Sequence, residues 1–208
     1  MGHVTRETTR SVIDVNTTSG QVLFRQRWEY VWIVAPGQPQ WTYREKAHFH
    51  RRADMMVWNI WSNRATFHVT GTSEFARRFA GKELPANFDI QWVLSNGHWT
   101  VRVTKVPPGT MSHPTRVEWN QRVIYLCTED FETTRHSGGI IAHEFGHSMG
   151  NTGVLNRGDE YRKTSPHHSD TASVINVGRE LRTRHFRTMI EEMNQMIAQT
   201  RWTVATLR

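Results

Sequence analysis

Residues 138–150 read Gly138-Gly139-Ile140-Ile141-Ala142-His143-Glu144-Phe145-Gly146-His147-Ser148-Met149-Gly150. If this stretch is helical, His143 and His147 lie one turn apart on one face, so their imidazoles can bind the same metal ion. Glu144 then lies beside the open coordination position, where it can act on a water molecule. The pattern indicates a zinc hydrolase site. The alternative is a core helix whose two histidines are hydrogen-bonded and bind no metal.

The residues around the two histidines favour the metal site. Gly138 and Gly139 can open a helix against the end of a strand, and Phe145 can face the core. Gly146 is costly inside a helix, by about 1 kcal/mol relative to Ala. We therefore expect another backbone segment or a ligand to approach Gly146 closely.

The length of the chain, 208 residues, suits one domain with a single sizeable core. We predict one domain over residues 1–208, in which about 1–35 form an N-terminal hairpin joining the sheet and about 137–200 form the half with the metal site. No stretch approaches the roughly 20 apolar residues that span a bilayer. The N-terminus lacks the apolar centre of a secretory signal. Either a signal was removed or export uses another route, such as a specialised secretion system, and the compartment stays open.

The charge balance is basic, with 26 Lys and Arg against 19 Asp and Glu and a formal net charge of +7. Such a charge could favour nucleic acid, an anionic wall polymer or an acidic protein surface. The basic residues are scattered and form no stripe, which argues against nucleic-acid binding. The single cysteine, Cys127, excludes an intramolecular disulfide and is most simply a small core residue.

Hydrophobic periodicity predicts most elements of the first half of the chain. Residues 11–15 and 21–34 alternate as the two arms of a hairpin, and the second arm continues into the main sheet. A long helix is predicted over about 44–61. A strand over 64–71 and a short helix near 73–79, ended by Gly81, follow it.

The second half contains a predicted hairpin, a buried strand and a closing helix. Residues 88–94 and 99–106 flank Ser95-Asn96-Gly97, and Asn-Gly suits a tight hairpin turn. Residues 122–127 are a continuous apolar run, typical of a strand buried on both faces. From 179 to about 199, apolar residues recur on one helical face. The predicted fold class is α+β, with a mixed, mostly antiparallel twisted sheet packed on the long helix and the motif helix, and a C-terminal closing helix.

This order of elements, together with the motif, resembles the metzincin-like zinc peptidases. Their pattern is His-Glu-x-x-His-x-x-Gly-x-x-His or Asp, and the chain matches it through Gly150. Gly153 stands at the third-ligand position and cannot bind metal. If residues 151–158 are a loop insertion, Asp159-Glu160-Tyr161 resembles the Asp-Glu-Tyr that follows the motif in many small bacterial zinc peptidases. The resemblance thus implies a zincin-like fold and gives the third-ligand role to Asp159.

Other assignments of the third ligand stay open at this stage. Asp159 follows Gly158, which gives the backbone freedom to turn toward the metal, whereas Glu160, Glu180 and His185 are alternatives. Downstream, Ser173-Val174-Ile175-Asn176 resembles the Met-turn of the family, an apolar floor under the metal, with isoleucine in place of methionine.

The expected activity is hydrolysis of peptide bonds with Zn²⁺ as cofactor. Glu144 acts as the general base, and either His185 or Tyr161 stabilises the oxyanion. A peptide substrate would dock along the sheet edge formed by residues 99–106 or by the strand preceding them. The alternatives are a zinc amidase or endopeptidase that acts on peptidoglycan as a secreted effector, and a non-catalytic basic binding module. We expect a monomer without a membrane span.

Overall fold

The structure is a computed structural model, and it describes residues 2–110, 114–131 and 136–208. Its strands are β1 (His3–Glu7), β2 (Val12–Asn16), β3 (Val22–Val34), β4 (Ala65–Gly71), β5 (Leu84–Val93), β6 (Trp99–Lys105), β7 (Arg116–Glu118), β8 (Val123–Cys127) and β9 (Thr200–Leu207). Its α-helices are α1 (Tyr43–Trp61), α2 (Glu74–Arg78), α3 (Ile140–Ser148) and α4 (Arg187–Met193), with 3-10 helices at Gly153–Leu155 and Thr183–Phe186. The predicted α+β class is confirmed.

All nine strands belong to one mixed sheet, built around β3. The order is β7-β8-β6-β3-β5-β4-β9, with the hairpin β1-β2 beside the first part of β3. One edge of β3 pairs with β5, and its other edge pairs first with β2 and then with β6. The pairs β3-β5, β3-β6 and β6-β8 are parallel, and the other five are antiparallel. The predicted mixed sheet is confirmed, but its centre is parallel.

The predicted hairpin over residues 88–106 is wrong, because β5 and β6 pair with opposite edges of β3 and not with each other. Residues 94–98 cross over β3 between them. The crossing can be short because Trp28 of β3 lies beside Trp92, near the end of β5, and also beside Trp99, at the start of β6. Gly97 lies directly against β3, since a Cβ atom there would come within 2.6 Å of the Glu29 Cβ atom. The Asn-Gly pair thus permits a close crossing instead of a hairpin turn.

The crossing also changes the expected docking edge. β6 lies between β3 and β8, and β5 lies between β3 and β4, so neither is an edge strand. On that side of the sheet the edge is the three-residue strand β7, which pairs antiparallel with β8. The prediction that residues 99–106 or the strand before them form the sheet edge is therefore wrong.

Helix α1 agrees with the prediction. Thr42 caps it, because its side chain accepts a hydrogen bond from the Glu45 backbone while the Glu45 carboxylate accepts one from Thr42. Its buried face packs on β5 and α3 and consists of Phe49, Ala53, Val57, Ile60 and Trp61. The helix thus fixes α3 against the sheet, since the indole of Trp61 donates a hydrogen bond to the Ala142 carbonyl at 3.0 Å.

The other predictions for the first half hold as well. The arms of the N-terminal hairpin are β2 and β3, and the second arm runs through the centre of the sheet. The predicted strand at 64–71 is β4, the short helix is α2, and Gly81 has a positive φ of 70°. The first strand, β1, was not predicted.

The predicted closing helix over 179–199 is wrong in its extent. A 3-10 turn precedes α4, which has seven residues, and the chain ends in β9, paired antiparallel with β4. The apolar positions themselves are buried as expected, at Leu181, Phe186, Met189 and Met193. The chain leaves the helix because Trp202 and its β-branched neighbours form a strand instead.

None of the helices in the described part of the chain combines the length and the apolar character needed to cross a bilayer.

Candidate metal centre

Helix α3 is buried along nearly its whole length. Its core side carries Ile141 and Phe145, which are fully buried. Gly146 lies under the side chains of Ile175 and Trp61, since a Cβ atom there would come within 2.4 Å of the Ile175 Cδ1 atom and 3.0 Å of the Trp61 ring. The expected close approach to Gly146 is thus made by two side chains, and not by a backbone segment or a ligand.

His143 and His147 lie on one face of α3, with their Nε2 atoms 2.9 Å apart. The Nδ1 atom of His143 donates to the Val174 carbonyl at 2.8 Å, and the Nδ1 atom of His147 donates to the Asn151 carbonyl. A carbonyl oxygen only accepts hydrogen bonds, so both rings carry a proton on Nδ1. Such outer hydrogen bonds are those that orient histidine ligands of metal ions. When the rings are neutral, each Nε2 atom carries a lone pair, and the two Nε2 atoms lie close enough to bind one metal ion.

Asp159 completes this arrangement. Its Oδ1 atom lies 3.0 Å from the His147 Nε2 atom and 3.4 Å from that of His143. Its Oδ2 atom accepts a hydrogen bond from Arg162 at 2.9 Å. Although burial raises the pKa of Asp159, its interactions with the His143 and His147 rings outweigh burial and hold the pKa below its usual range. The carboxylate is therefore ionised. We call His143, His147 and Asp159 the His-His-Asp cluster.

The spacing of the cluster fits a metal ion. Ligand atoms at zinc distances and in tetrahedral geometry lie about 3.3–3.5 Å apart, and the three atoms here are 2.9–3.4 Å apart. Two lone pairs and a carboxylate oxygen repel one another at such distances unless a proton or a cation lies between them. Two imidazoles and one carboxylate suit zinc and other divalent first-row ions.

The pKa values of the two histidines shift in opposite directions. Burial, helped by the neighbouring His147, lowers the pKa of His143 to about 4. Burial also disfavours a charged His147, but the hydrogen bond to Asp159 and the charge of Glu144 outweigh it and raise the pKa of His147 above its usual value. A proton on His147 thus competes with a metal ion for the same position.

Glu144 is buried and lines the same cavity as His147 and Asp159. Its Oε2 atom has no hydrogen-bond partner among the described residues. Burial raises the pKa of Glu144 to about 7, and the charge of Asp159 adds to the shift. A carboxylate with a pKa near neutrality is suited to accept and return a proton at physiological pH.

The two glutamates proposed as alternative third ligands are engaged elsewhere. Glu160 is buried and accepts two hydrogen bonds from Arg184, at 2.7 and 2.9 Å. Glu180 is exposed and forms an ion pair with Arg182 at 2.9 Å. Among the described residues, the carboxylate brought to the two histidines is that of Asp159.

The two oxyanion candidates occupy different places. His185 is buried outside the residues that line the cavity, where its Nε2 atom lies 3.1 Å from the Ser173 hydroxyl and its Nδ1 atom accepts from the Arg182 backbone. Tyr161 lines the cavity and its ring is stacked near His143, 6.1 Å between centroids. Burial and the charge of Asp159 raise the pKa of Tyr161 to about 12, so its hydroxyl stays a donor. The geometry therefore suits Tyr161 and not His185 for contact with a reacting group.

The segment that resembles the Met-turn lies under the cluster. Val174 supplies the carbonyl that orients His143, and Ile175 is buried against Gly146 of α3. Motif reasoning did not identify Asn151, whose side-chain amide donates to the carbonyls of Gly146 and His185 at 2.9 and 3.0 Å. Its position directly after Gly150 was the available signal, because the residue that follows a helix end is placed to satisfy the last carbonyls.

The cluster opens into a cavity of about 850 Å³. Its walls are α3 at Glu144 and His147, the edge strand β7, the loop over residues 151–167, and the start of α4. Among the described residues β7 pairs only with β8, and an edge strand beside a group of ligand atoms is suited to bind extended polypeptide.

Comparison with known proteins gives no match: no protein-family model fits the chain, and neither a curated protein nor a solved structure is significantly similar to it. The likeness to metzincin-like zinc peptidases therefore rests on the motif residues and stays a prediction.

Proposed function

We propose that this chain is a zinc-dependent peptidase in which His143, His147 and Asp159 hold the metal and Glu144 is the general base. The observation that carries the proposal is the convergence of three ligand atoms within 2.9–3.4 Å, next to a buried carboxylate that has an unpartnered oxygen. A site with a purely structural metal has no need of a fourth, uncoordinated acid. Glu144 thus favours catalysis over the role of a non-catalytic binding module.

Zinc at this position would supply a Lewis acid that acidifies water and polarises a carbonyl group. Glu144 accepts the proton of the attacking water and returns it to the leaving amine, a role that suits a buried carboxylate with an unpartnered oxygen beside the cluster. The Tyr161 hydroxyl, protonated up to high pH, donates a hydrogen bond to the oxyanion. The backbone carbonyls of Val174 and Asn151 hold both histidine rings in the ligand tautomer.

A polypeptide substrate is favoured by the position of β7. This strand pairs with β8 on one side and lines the cavity with Arg116 and Val117. An extended peptide added along its other edge would run beside the His-His-Asp cluster, and its backbone amides would provide the binding contacts.

The test combines elemental analysis of the purified protein with digestion of an unbiased peptide library, with and without chelator. We expect one zinc ion per chain, cleavage that is lost on chelation, and recovery when zinc is returned. Peptidoglycan fragments in a parallel reaction identify the amidase or endopeptidase alternative. Cleavage that is unaffected by chelator, or a purified protein that binds no divalent metal, would contradict the proposal.

A further inference from the structure

Five arginines line the cavity, against three carboxylate residues. The arginines are Arg116, Arg157, Arg162, Arg184 and Arg187, and the carboxylates are Glu144, Asp159 and Glu160. Cavity walls of one sign concentrate ligands of the opposite sign. Which of these arginines is available to attract an anion depends on its partners.

Four of these arginines are neutralised by partners. Arg116 pairs with Glu118, Arg162 with Asp159, Arg184 with Glu160 and Asp170, and Arg187 with Glu191. Arg157 is the exception, because no ion pair joins it to a carboxylate of the described residues. Its Nη2 atom donates to the Thr188 hydroxyl at 3.0 Å, and its buried Nε atom has no partner among those residues. The half-buried guanidinium thus keeps a full charge and unused donors.

The backbone around Arg157 is held in place by local hydrogen bonds. Its amide donates to the Thr152 carbonyl at 2.9 Å, and Asn156, with a left-handed φ of 56°, turns the chain back between them. Thr188, which holds the guanidinium, lies on α4 and packs on Gly150 at the end of the motif. A charged group fixed in this way loses little conformational entropy when it binds a ligand.

Arg157 is also close to the metal ligands along the chain. One residue, Gly158, separates it from Asp159, so their Cα atoms are at most about 7 Å apart. Because Arg157 lines the same cavity as His147 and Asp159, a substrate bound at the His-His-Asp cluster can also reach Arg157. Guanidinium groups bind carboxylates as paired hydrogen bonds, which suits a single acidic group of the substrate.

We propose that Arg157 binds a carboxylate of the substrate and makes the site selective for peptides with an acidic group on one side of the scissile bond. This inference rests on the peptidase function proposed above. The carboxylate can belong to an acidic side chain or to the free C-terminus of a short peptide, since the chemistry recognised is the same.

Binding of blocked tetra-alanine peptides to the zinc-loaded Glu144→Gln protein tests the inference without turnover. One set places Glu at each position in turn, with Gln as its uncharged counterpart, and another compares a free C-terminal carboxylate with an amide. We expect one acidic peptide to bind about 10- to 100-fold more tightly than its neutral counterpart, as for hydrogen bonds between charged groups. The set in which the preference appears identifies the source of the carboxylate.

Arg157→Gln, added to the same protein, should remove the preference while the neutral peptides bind as before. Arg157→Lys keeps the charge without the planar fork and should retain part of it. Arg187→Gln is the matched control, because it removes the same charge from the same cavity at an arginine that is paired with Glu191, and it should leave the ratio unchanged. Zinc content and melting temperature of each variant check that the fold is kept.

The result separates the two proposals. A preference that is absent, or that survives in both Arg157 variants, overturns the anion site, even when peptides are cleaved by the unsubstituted protein. A preference that depends on Arg157 in a protein that cleaves no peptide supports the anion site and overturns the peptidase activity.

Discussion

Helix α3 faces the hydrophobic core on one side and the His-His-Asp cluster on the other. On the core side, Phe145 packs among Phe24, Trp61 and Phe88, with ring centroids 5.6–6.4 Å apart. On the other side, His143 and His147 are also buried, but their Nε2 atoms lie close to each other and to the Asp159 carboxylate. The core gains its stability from contacts already made, whereas the cluster needs a cation or a proton to offset repulsion.

This difference predicts which property each region controls. Changes in the core should lower the free energy of unfolding, because tightly packed apolar contacts are lost. Changes in the cluster should lower metal affinity or turnover and leave the apolar packing intact. The following substitutions separate the two.

The largest effect is expected for Glu144→Gln. The amide keeps the shape of the side chain but cannot accept the proton of water, so we expect hydrolysis to fall by about 100- to 10,000-fold. Zinc stoichiometry should stay at the value of the unsubstituted protein, because the three ligands are untouched. Near-normal turnover in a zinc-reconstituted sample would exclude Glu144 as the general base.

Met189→Ala tests the core under α4. Met189 is 1 % exposed, and its truncation should cost about 2–5 kcal/mol of unfolding free energy in a denaturant titration. Met55→Ala is the matched control, since Met55 is 55 % exposed and should cost less than about 0.5 kcal/mol. Equal losses at the two positions would mean that α4 is peripheral.

Asp159→Ala tests the third ligand. Among the described residues, Asp159 is the carboxylate that contacts both histidines, so its removal should weaken zinc binding by at least about tenfold, since even outer partners of a metal site contribute 10- to 100-fold. Competition with a chelator of known affinity measures the loss. Glu180→Ala is the control and should bind zinc normally, because Glu180 pairs with Arg182 at the surface. A loss in the control without one in Asp159→Ala would reverse the assignment.

The predictions made from sequence succeed for some parts of the molecule and fail for others. Helix α1, the β2-β3 hairpin and β4 could be predicted because local periodicity and caps determine them. The motif places His143, Glu144 and His147 by spacing alone. The resemblance assigned Asp159 as third ligand, and the structure brings Asp159 to the two histidines. The predictions that failed concern elements whose structure depends on residues far away in the sequence.

The β5-β6 connection is one such failure. Asn96-Gly97 is the same local signal whether the chain folds back or crosses a neighbouring strand, and the choice is made by β3, some 70 residues earlier in the chain. The C-terminal segment is another, since the apolar positions from Leu181 to Met193 suit one long helix or a short one followed by a strand. The short strand β7 has too few residues to show any period.

Gly97→Ala tests the close crossing of the β5-β6 connection over β3. A Cβ atom would meet the Glu29 backbone nitrogen at 3.0 Å, so we expect a loss of roughly 1–3 kcal/mol, as for other overpacked sites. Gly153→Ala is the matched control, because no atom lies within 4 Å of the added carbon and its φ is ordinary. The control should change stability by less than about 0.5 kcal/mol. Equal stabilities of the two variants would contradict the crossing over β3.

The smallest expected effect is the pH dependence of zinc binding, which sharpens the contrast between the two histidines. Burial lowers the pKa of His143 to about 4, so this ring is neutral above that pH. Burial also lowers the pKa of His147. The interactions of this ring with Asp159 and Glu144 outweigh the effect of burial, so the pKa of His147 lies above its usual value. Asp159 is ionised throughout, because the pKa of its carboxyl lies below the usual range.

Zinc must then displace one proton, from His147, at pH values below the raised pKa of that ring. We expect zinc affinity to fall about tenfold for each pH unit below this pKa and to level off above it. Calorimetric titrations between pH 5.5 and 8.5 in buffers of different ionisation enthalpy measure the affinity and the protons released, and an affinity that does not change with pH over this range would contradict the raised pKa of His147.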